Sequence, residues 1–165
     1  QRGAELLAEL ALPAEACEVY GCPRRVFLAY TFHESKVELD LAWFDKDANR
    51  LGEAMWLAYQ HPQSACEVRK LGTWVAAQNV DSKGGRALQA SDFGARLYDE
   101  TGRMVEIESL DTALIAPGGP SLLNFTNALP DRSRGISFNL YYNIWGTNFP
   151  MWYDEDARFR FAITI

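Results

Sequence analysis

The stretches Val26-Phe-Leu-Ala-Tyr-Thr-Phe32 and Val37-Glu-Leu-Asp-Leu-Ala-Trp43 decide the fold of this chain. In each of them, large apolar residues occupy every second position, which is the period of a β-strand with one buried face. The second stretch alternates these residues with Glu38, Asp40 and Ala42, so its other face suits solvent. Both stretches therefore predict half-buried strands.

Similar patterns continue along most of the chain. Further strands are predicted over residues 53–60, 66–71, 87–91, 95–98, 104–110, 122–125, 136–145 and 159–165. Turn-forming sequences such as Asp99-Glu-Thr-Gly102 and Pro117-Gly-Gly-Pro120 lie between them. Many short strands with turns about 8–12 residues apart are typical of an antiparallel β-sandwich. We therefore predict an all-β fold with one β-sandwich domain over residues 23–165.

Residues 1–22 have a different pattern. Leu6, Leu7 and Leu10 fall at helical spacing, and Pro13 closes the segment. The spacing predicts a short helix over residues 4–10, within a helical connector that comes from an upstream domain. Because the chain begins with Gln1 rather than Met, we expect it to be a piece of a longer protein.

The segment 136–145 has two contrasting faces. Strict alternation predicts a core face made of Ile136, Phe138, Leu140, Tyr142 and Ile144. The opposite face is polar, aromatic and uncharged, and consists of Ser137, Asn139, Tyr141, Asn143 and Trp145. Amides can pair with hydroxyl groups and aromatic rings offer flat apolar surfaces, which is the combination that holds a sugar. The alternative is a sheet face covered by another strand layer or domain.

The composition narrows the classes of partner. The net charge is −6 and the longest basic run is Arg24-Arg25, so the basic surface that nucleic acids and anionic membranes require is missing. No apolar run reaches the ~20 residues of a membrane span. The three cysteines, Cys17, Cys22 and Cys66, fit either one loop disulfide between the first two or three free thiols. We favour free thiols and a cytoplasmic location.

The sequence offers only weak metal and catalytic motifs. Residues 45–49 begin like a calcium loop, but Arg50 and Trp56 stand where that loop needs Gly and Glu, so a solvated turn is the better interpretation. The cysteines and His61 are zinc-ligand types without the spacing of a structural zinc motif. The acidic residues 154–156 belong to one segment, which cannot flank a glycosidic bond from both sides. We therefore predict no catalytic residue, metal site or cofactor in this chain.

One segment carries a family resemblance. The sequence Ser137-Phe-Asn-Leu-Tyr-Tyr-Asn-Ile-Trp-Gly-Thr-Asn-Phe-Pro-Met-Trp-Tyr153 resembles the C-terminal end of large proteins related to glycoside hydrolase family 38, the α-mannosidase-like enzymes. Three other segments fit the same group in the same order, namely Trp43-Phe-Asp-Lys-Asp-Ala-Asn-Arg-Leu-Gly-Glu-Ala-Met-Trp56, Gly84-Gly-Arg-Ala-Leu88 and Glu108-Ser-Leu-Asp-Thr-Ala-Leu114. One departure is Gln89, which stands where His is common in the family.

The resemblance implies that the catalytic residues lie in another domain. In family 38-like enzymes, the catalytic aspartate and the zinc ligands belong to an N-terminal α/β domain, which would be the partner of this chain. C-terminal β-domains pack on that domain and lend residues to the rim of the glycan cleft. Carried over to this sequence, the rim residues would be Asn49, Arg50, Glu53, Arg86, Asn143, Trp145, Asn148 and Trp152. We expect Asn143, Trp145 and Asn148 to lie near Arg50 and Glu53 along one concave edge.

Three hypotheses for function follow. The leading one is an accessory β-sandwich domain of an α-mannosidase-like glycoside hydrolase, which completes a glycan cleft built on another domain. The alternatives are a stand-alone carbohydrate-binding module and a purely structural interdomain module. A binding module holds sugar alone, a cleft-completing domain only when joined to its partner, and a structural module in neither state.

Overall fold

The computed structural model describes residues 3–60, 65–80, 85–122, 126–144 and 152–165. The described strands are β1 (Ala4–Ala11), β2 (Arg25–Phe32), β3 (Lys36–Trp43), β4 (Ala54–Tyr59), β5 (Ala65–Lys70), β6 (Thr73–Ala76), β7 (Gln89–Ala90), β8 (Gly94–Tyr98), β9 (Met104–Ser109), β10 (Leu114–Pro117), β11 (Ile136–Tyr142) and β12 (Ala157–Thr164). One α-helix, α1 (Ala14–Tyr20), and two 3-10 turns (Ala77–Asn79 and Arg132–Arg134) accompany them. No helix in these parts of the chain is long and apolar enough to cross a membrane.

The strands form two antiparallel sheets. One has eight strands in the order β1-β2-β3-β12-β9-β8-β5-β6, and the other has four in the order β4-β11-β10-β7. Aromatic rings join the two sheets, since Phe138 on β11 lies 5.3 Å from Phe161 on β12 and Tyr141 lies 5.9 Å from Trp43 on β3, between ring centroids. The predicted all-β, sandwich-like fold is confirmed.

The core lies between the sheets. Its largest fully buried side chains are Trp43, Phe138 and Phe161, and the ring of Trp43 also lies 5.3 Å from that of Phe159. These aromatic residues come from the alternating stretches that predicted strands. Burial of such side chains contributes about 1.5–3 kcal/mol each, so this layer supplies much of the driving force for folding.

Most predicted strands lie where the alternation placed them. The strands β2, β3, β4, β5, β8, β9, β11 and β12 match predictions to within a few residues. The predicted strand 87–91 is reduced to β7, and residues 123–125 of the predicted strand 122–125 lie outside the described residues. Strands β6 and β10 were not predicted, because four residues are too few to establish a period.

The helix predicted over residues 4–10 is wrong. These residues form β1, which pairs with β2 from Ala4↔Phe32 to Ala11↔Arg25. A helix this short is marginal by itself, whereas the open edge of β2 provides a hydrogen-bonding partner along the whole segment. The helix of this region is α1, which starts after Pro13 and ends at Gly21 in the left-handed conformation. Residues 4–11 are therefore part of the sheet and not of a helical connector.

A β-bulge changes the faces that alternation predicted for β11. The register with β4 shifts between Asn139 and Tyr141, which inserts Leu140 as an extra residue. Tyr141 consequently points towards the core, like Phe138, and contacts Trp43. The predicted position of Tyr141 on the open face is therefore wrong. The other described members of that face are also enclosed, since Ser137 is fully buried and Asn139 and Asn143 are 5% and 4% exposed.

The turn between β5 and β6 provides a test of local conformation. Leu71 and Gly72 connect the paired residues Lys70 and Thr73, and both have positive φ angles, of 51° and 78°. Leucine is disfavoured there, whereas Asn-Gly suits such a turn. We expect Leu71→Asn to raise the free energy of unfolding by about 0.5–1 kcal/mol, measured by chemical denaturation.

The matched control is Leu129→Asn, which removes another exposed leucine from a residue without a positive φ angle. This variant is expected to leave stability nearly unchanged. Equal changes in the two variants would show that the loss of exposed apolar surface, and not the backbone conformation, is responsible.

Candidate functional site

A buried cation lies at one end of the sandwich. The side chain of Lys46 is 0% exposed, and its Nζ donates hydrogen bonds to Glu53 Oε1 at 2.7 Å, to the carbonyl oxygen of Tyr153 at 2.8 Å and to that of Asp47 at 3.1 Å. The Glu53 side chain is 13% exposed. A charge removed from water in this way requires a full set of partners, and three acceptors supply them here.

Two tyrosine rings enclose this ion pair. Lys46 Nζ lies 5.4 Å from the ring centroid of Tyr141 and 5.5 Å from that of Tyr153, within range of a cation–π interaction. The two rings stack with centroids 4.5 Å apart. Burial, together with a hydrogen bond to Glu53 and the charge of that carboxylate, raises the pKa of the Tyr141 hydroxyl. Tyr141 is therefore a neutral donor to Glu53.

Asn143 fixes the other side of the site. It is 4% exposed, its Oδ1 accepts a hydrogen bond from the Glu53 backbone N–H at 2.6 Å, and its Nδ2 donates to the carbonyl oxygen of Leu51 at 3.1 Å. The Asn143 backbone N–H also donates to the carbonyl oxygen of Glu53 at 3.1 Å. The amide thus holds the backbone of the segment 44–53 against the end of β11.

These contacts tie two connections between the sheets to each other. Residues 44–53, which we call the 44–53 loop, lead from β3 in the eight-stranded sheet to β4 in the four-stranded sheet. A second connection, from β11 back to β12 in the eight-stranded sheet, contains Asn143 and Tyr153. The ion pair therefore belongs to a network that joins these two crossings, although the loop has no regular secondary structure.

An exposed arginine–tryptophan pair lies above the buried Lys46–Glu53 ion pair. The guanidinium carbon of Arg50 lies 5.0 Å from the ring centroid of Trp152, and the tryptophan remains 54% exposed. Arg50 is also exposed and makes none of the described salt bridges. The pair presents a flat apolar ring and a cation with several hydrogen-bond donors to the surroundings.

Asn49 links the loop to the end of α1. Its Oδ1 accepts a hydrogen bond from the backbone N–H of Leu51 at 2.8 Å, while its Nδ2 is buried without a protein acceptor among the described residues. Gly21 packs directly on this amide, because a Cβ atom at that position would lie 2.7 Å from Asn49 Nδ2 and 2.7 Å from the carbonyl oxygen of Asp47. The helix end therefore supports the 44–53 loop from below.

The predicted rim residues do not all come together. The cluster described above contains Asn49, Arg50, Glu53, Asn143 and Trp152. The side chains of Asn143 and Glu53, however, make buried contacts within the protein. Arg86 lies before β7, at the edge of the four-stranded sheet opposite β4, and donates to the carbonyl oxygens of Val80 and Asn127 at 3.2 and 3.0 Å. Trp145 and Asn148 lie outside the described residues.

The metal motifs considered in the sequence do not assemble in the described part of the chain, where no group of three or more His, Cys, Asp or Glu side chains is placed to hold a metal ion. Cys66 is fully buried on β5, the seventh strand of the large sheet, while Cys17 belongs to α1. His61 lies outside the described residues. Asp45 and Asp47 are exposed, and Asp47 lies 3.6 Å from Arg24.

Sequence reasoning missed the centre of the site. A lysine between Asp45 and Asp47 looks solvated, and the predicted solvated turn is wrong for Lys46, whose side chain is enclosed. Tyr153 stands beside a run of acidic residues and shows no strand pattern. The family-like segments 43–56 and 137–153 contain both residues, but neither was among the rim residues that the resemblance implied.

We expect Lys46→Met to lower the free energy of unfolding by about 3–5 kcal/mol, because it leaves the Glu53 carboxylate buried without its cation. The double variant Lys46→Met/Glu53→Gln is expected to lose less than the sum of the two single variants, since neither charge is then left unpaired. Denaturant unfolding measures all three. Additive losses would contradict the importance of the pairing.

The control for this cycle is Arg158→Met, which breaks the exposed pair between Arg158 and Asp40. Solvent screens that pair, so the variant is expected to change stability little. A loss as large as that of Lys46→Met would show that the size of the effect does not come from burial of the charge.

No family model, curated protein or solved structure matches this chain. The resemblance to family 38-like proteins, carried chiefly by residues 137–153, remains a hypothesis.

Proposed function

We propose that this chain is an accessory β-sandwich domain of a family 38-like, α-mannosidase-related glycoside hydrolase. In this proposal it packs on a catalytic domain of the same protein and contributes Arg50 and Trp152 to the rim of the glycan cleft. The zinc ion and the catalytic aspartate belong to that other domain. The observation that carries the proposal is the exposed Arg50–Trp152 pair, which lies above the buried Lys46–Glu53 ion pair.

The two segments that carry the resemblance meet in space. Glu53 and Asn143 hydrogen-bond to each other, and Lys46 bonds to the carbonyl oxygen of Tyr153. Arg50 stacks on Trp152 between the same two segments. Residues that are 90 to 107 positions apart in the chain thus form one surface feature, which supports a shared role for the two segments.

The chemistry of the exposed pair suits a glycan. The face of the Trp152 ring can pack against the C–H face of a sugar, and the guanidinium of Arg50 can donate to hydroxyl oxygens. Hydrogen bonds to a charged group contribute about 1.5–3 kcal/mol when they are shielded from water. A partner domain that closes over the pair would provide this shielding.

Rigidity beneath the pair supports the same role. The Lys46–Glu53 ion pair and the Asn143 amide hold the backbone on both sides of Arg50. A site that is already in its binding conformation loses less conformational entropy when ligand binds.

The eight-stranded sheet offers a surface for the partner domain. Its core-facing side extends to β1 and β2, at the end of the strand order, where Leu6, Leu10 and Phe32 remain 52%, 47% and 39% exposed. Leu6 pairs with Tyr30 and Leu10 pairs with Val26, so the apolar face continues across both strands. Contiguous apolar surface of this kind is typical of protein–protein interfaces.

The proposal predicts that Trp152→Ala raises the KM for an aryl α-mannoside about tenfold in the full-length product of the gene, with a smaller effect on protein stability. The matched control is Trp74→Ala, because Trp74 also stacks on an arginine, Arg96 at 4.1 Å, but lies on β6 at the far edge of the large sheet. An unchanged KM for Trp152→Ala would leave a purely structural role.

Activity and binding measurements on the isolated 165-residue chain distinguish the remaining hypotheses. We expect it neither to hydrolyse aryl glycosides nor to bind α-mannobiose measurably by calorimetry. Binding by the isolated chain that Trp152→Ala abolishes would instead identify a stand-alone carbohydrate-binding module. Hydrolysis by the purified chain that a substitution within it abolishes would refute the accessory role.

A further inference from the structure

Two thiols lie side by side where α1 ends. Cys17 Sγ and Cys22 Sγ are 3.4 Å apart, and Gly21 reverses the chain between them in the left-handed conformation. The Gly21 N–H donates to the carbonyl oxygen of Cys17 at 3.0 Å, which fixes this reversal. Cys17 is 3% exposed, whereas Cys22 is partly accessible to solvent. The fold therefore presents one reachable thiol with a second thiol directly behind it.

We propose that Cys17 and Cys22 are an oxidisable dithiol whose disulfide staples the end of α1 and thereby secures the support of the 44–53 loop. The proposal is independent of the function proposed above, because it concerns only the chemistry of these two residues. Formation of the bond needs a change of about 1.4 Å in the separation of the sulfur atoms, which side-chain rotation can provide.

The position of the pair explains why a staple would affect the loop. Gly21, next to Cys22, packs against the Asn49 amide and the carbonyl oxygen of Asp47. Arg24 then reaches the Asp47 carboxylate at 3.6 Å. Residues 21–24 thus form a short shelf beneath the 44–53 loop, and a disulfide at its start restricts the motion of that shelf.

The reaction is a two-step exchange with a low-molecular-weight disulfide such as oxidised glutathione. The Cys22 thiolate attacks one sulfur of that disulfide, which forms a mixed disulfide and releases one glutathione thiolate. The Cys17 thiolate then attacks the Cys22 sulfur, forming the bond between the two cysteines and expelling the second glutathione. The protein loses two protons and two electrons, and one oxidised glutathione becomes two thiols.

The surroundings affect the rate and the stability of the bond differently. Burial, with the neighbouring Cys17, raises the pKa of the Cys22 thiol to about 11, so the reactive thiolate is scarce near neutral pH. The exchange should therefore accelerate as the pH rises towards that value. Because the reduced state gains little from a thiolate form, the disulfide should resist reduction once it has formed.

Cys66 is a built-in control. It is fully buried on β5 in the large sheet, and burial raises the pKa of its thiol to about 12. Its thiol is closed off from solvent. Among the described cysteines, Cys17 and Cys22 are the only two whose sulfur atoms lie close together, so Cys66 has no neighbouring thiol. Exchange in the folded protein should therefore spare it.

The experiment treats the folded chain with oxidised glutathione at pH 8.5 and follows its intact mass, its alkylatable thiols after denaturation and its Tm. We expect the mass to fall by about 2 Da, with one thiol left at Cys66 and a linked peptide pair containing Cys17 and Cys22. The closed six-residue loop should raise the Tm by about 4–9 °C.

Two variants make the outcome specific. Cys66→Ser should still lose about 2 Da, whereas Cys22→Ser should keep two alkylatable thiols and show no rise in Tm on the same treatment. Three alkylatable thiols in treated wild type, a persistent glutathione adduct on Cys22, or a linked peptide containing Cys66 would each refute the proposed dithiol. An unchanged Tm after complete oxidation would refute the stapling.

Discussion

The structure depends on how the protein compensates one buried charge, the ammonium group of Lys46. Its ammonium group has lost all contact with water, and it is held by the Glu53 carboxylate, two backbone carbonyl oxygens and the faces of two tyrosine rings. The partners come from three parts of the chain, namely the 44–53 loop, Tyr141 on β11 and Tyr153, so the charge is satisfied only when those parts are in place. A buried cation that lost any one of them would be costly, because the interior cannot replace the missing solvation. The ion pair therefore forms only when the surrounding segments are correctly arranged.

The ion pair acts at two of the places where the chain passes between the sheets. One is the 44–53 loop, which leads from β3 to β4, and the other is the connection between β11 and β12. The bulge at Leu140 is part of the same arrangement, since it turns Tyr141 towards Trp43 and the ion pair. The buried network thus joins two of the connections between the sheets, while aromatic and aliphatic side chains fill the core between them. Above the network, Arg50 and Trp152 are held near each other at the surface, where they are available to a ligand or a partner domain.

Much of the fold was predictable because it rests on alternation within single strands. The stretches around Leu28 and Leu41 showed which residues face the core before any pairing was known. The prediction failed for residues 4–10, where three leucines fit a helix and only the open edge of β2 decided for a strand. It failed again at Tyr141, because a one-residue bulge reverses every later side chain and leaves no mark in the pattern. The surface residues Arg50 and Trp152 were reached only through the family-like segments that contain them.

The sequence by itself determined the class of fold and the core-facing sides of β2 and β3, because these follow from residue type and local spacing. Only the tertiary structure decided that Lys46 is buried rather than solvated, that Asn143 anchors a loop rather than facing a ligand, and that Arg86 lies apart from the other predicted residues. The physical reason is that burial of a polar group depends on partners far away in the chain. A lysine between two aspartates has the same local sequence in water and in the interior, and its surroundings are fixed only when the two sheets come together.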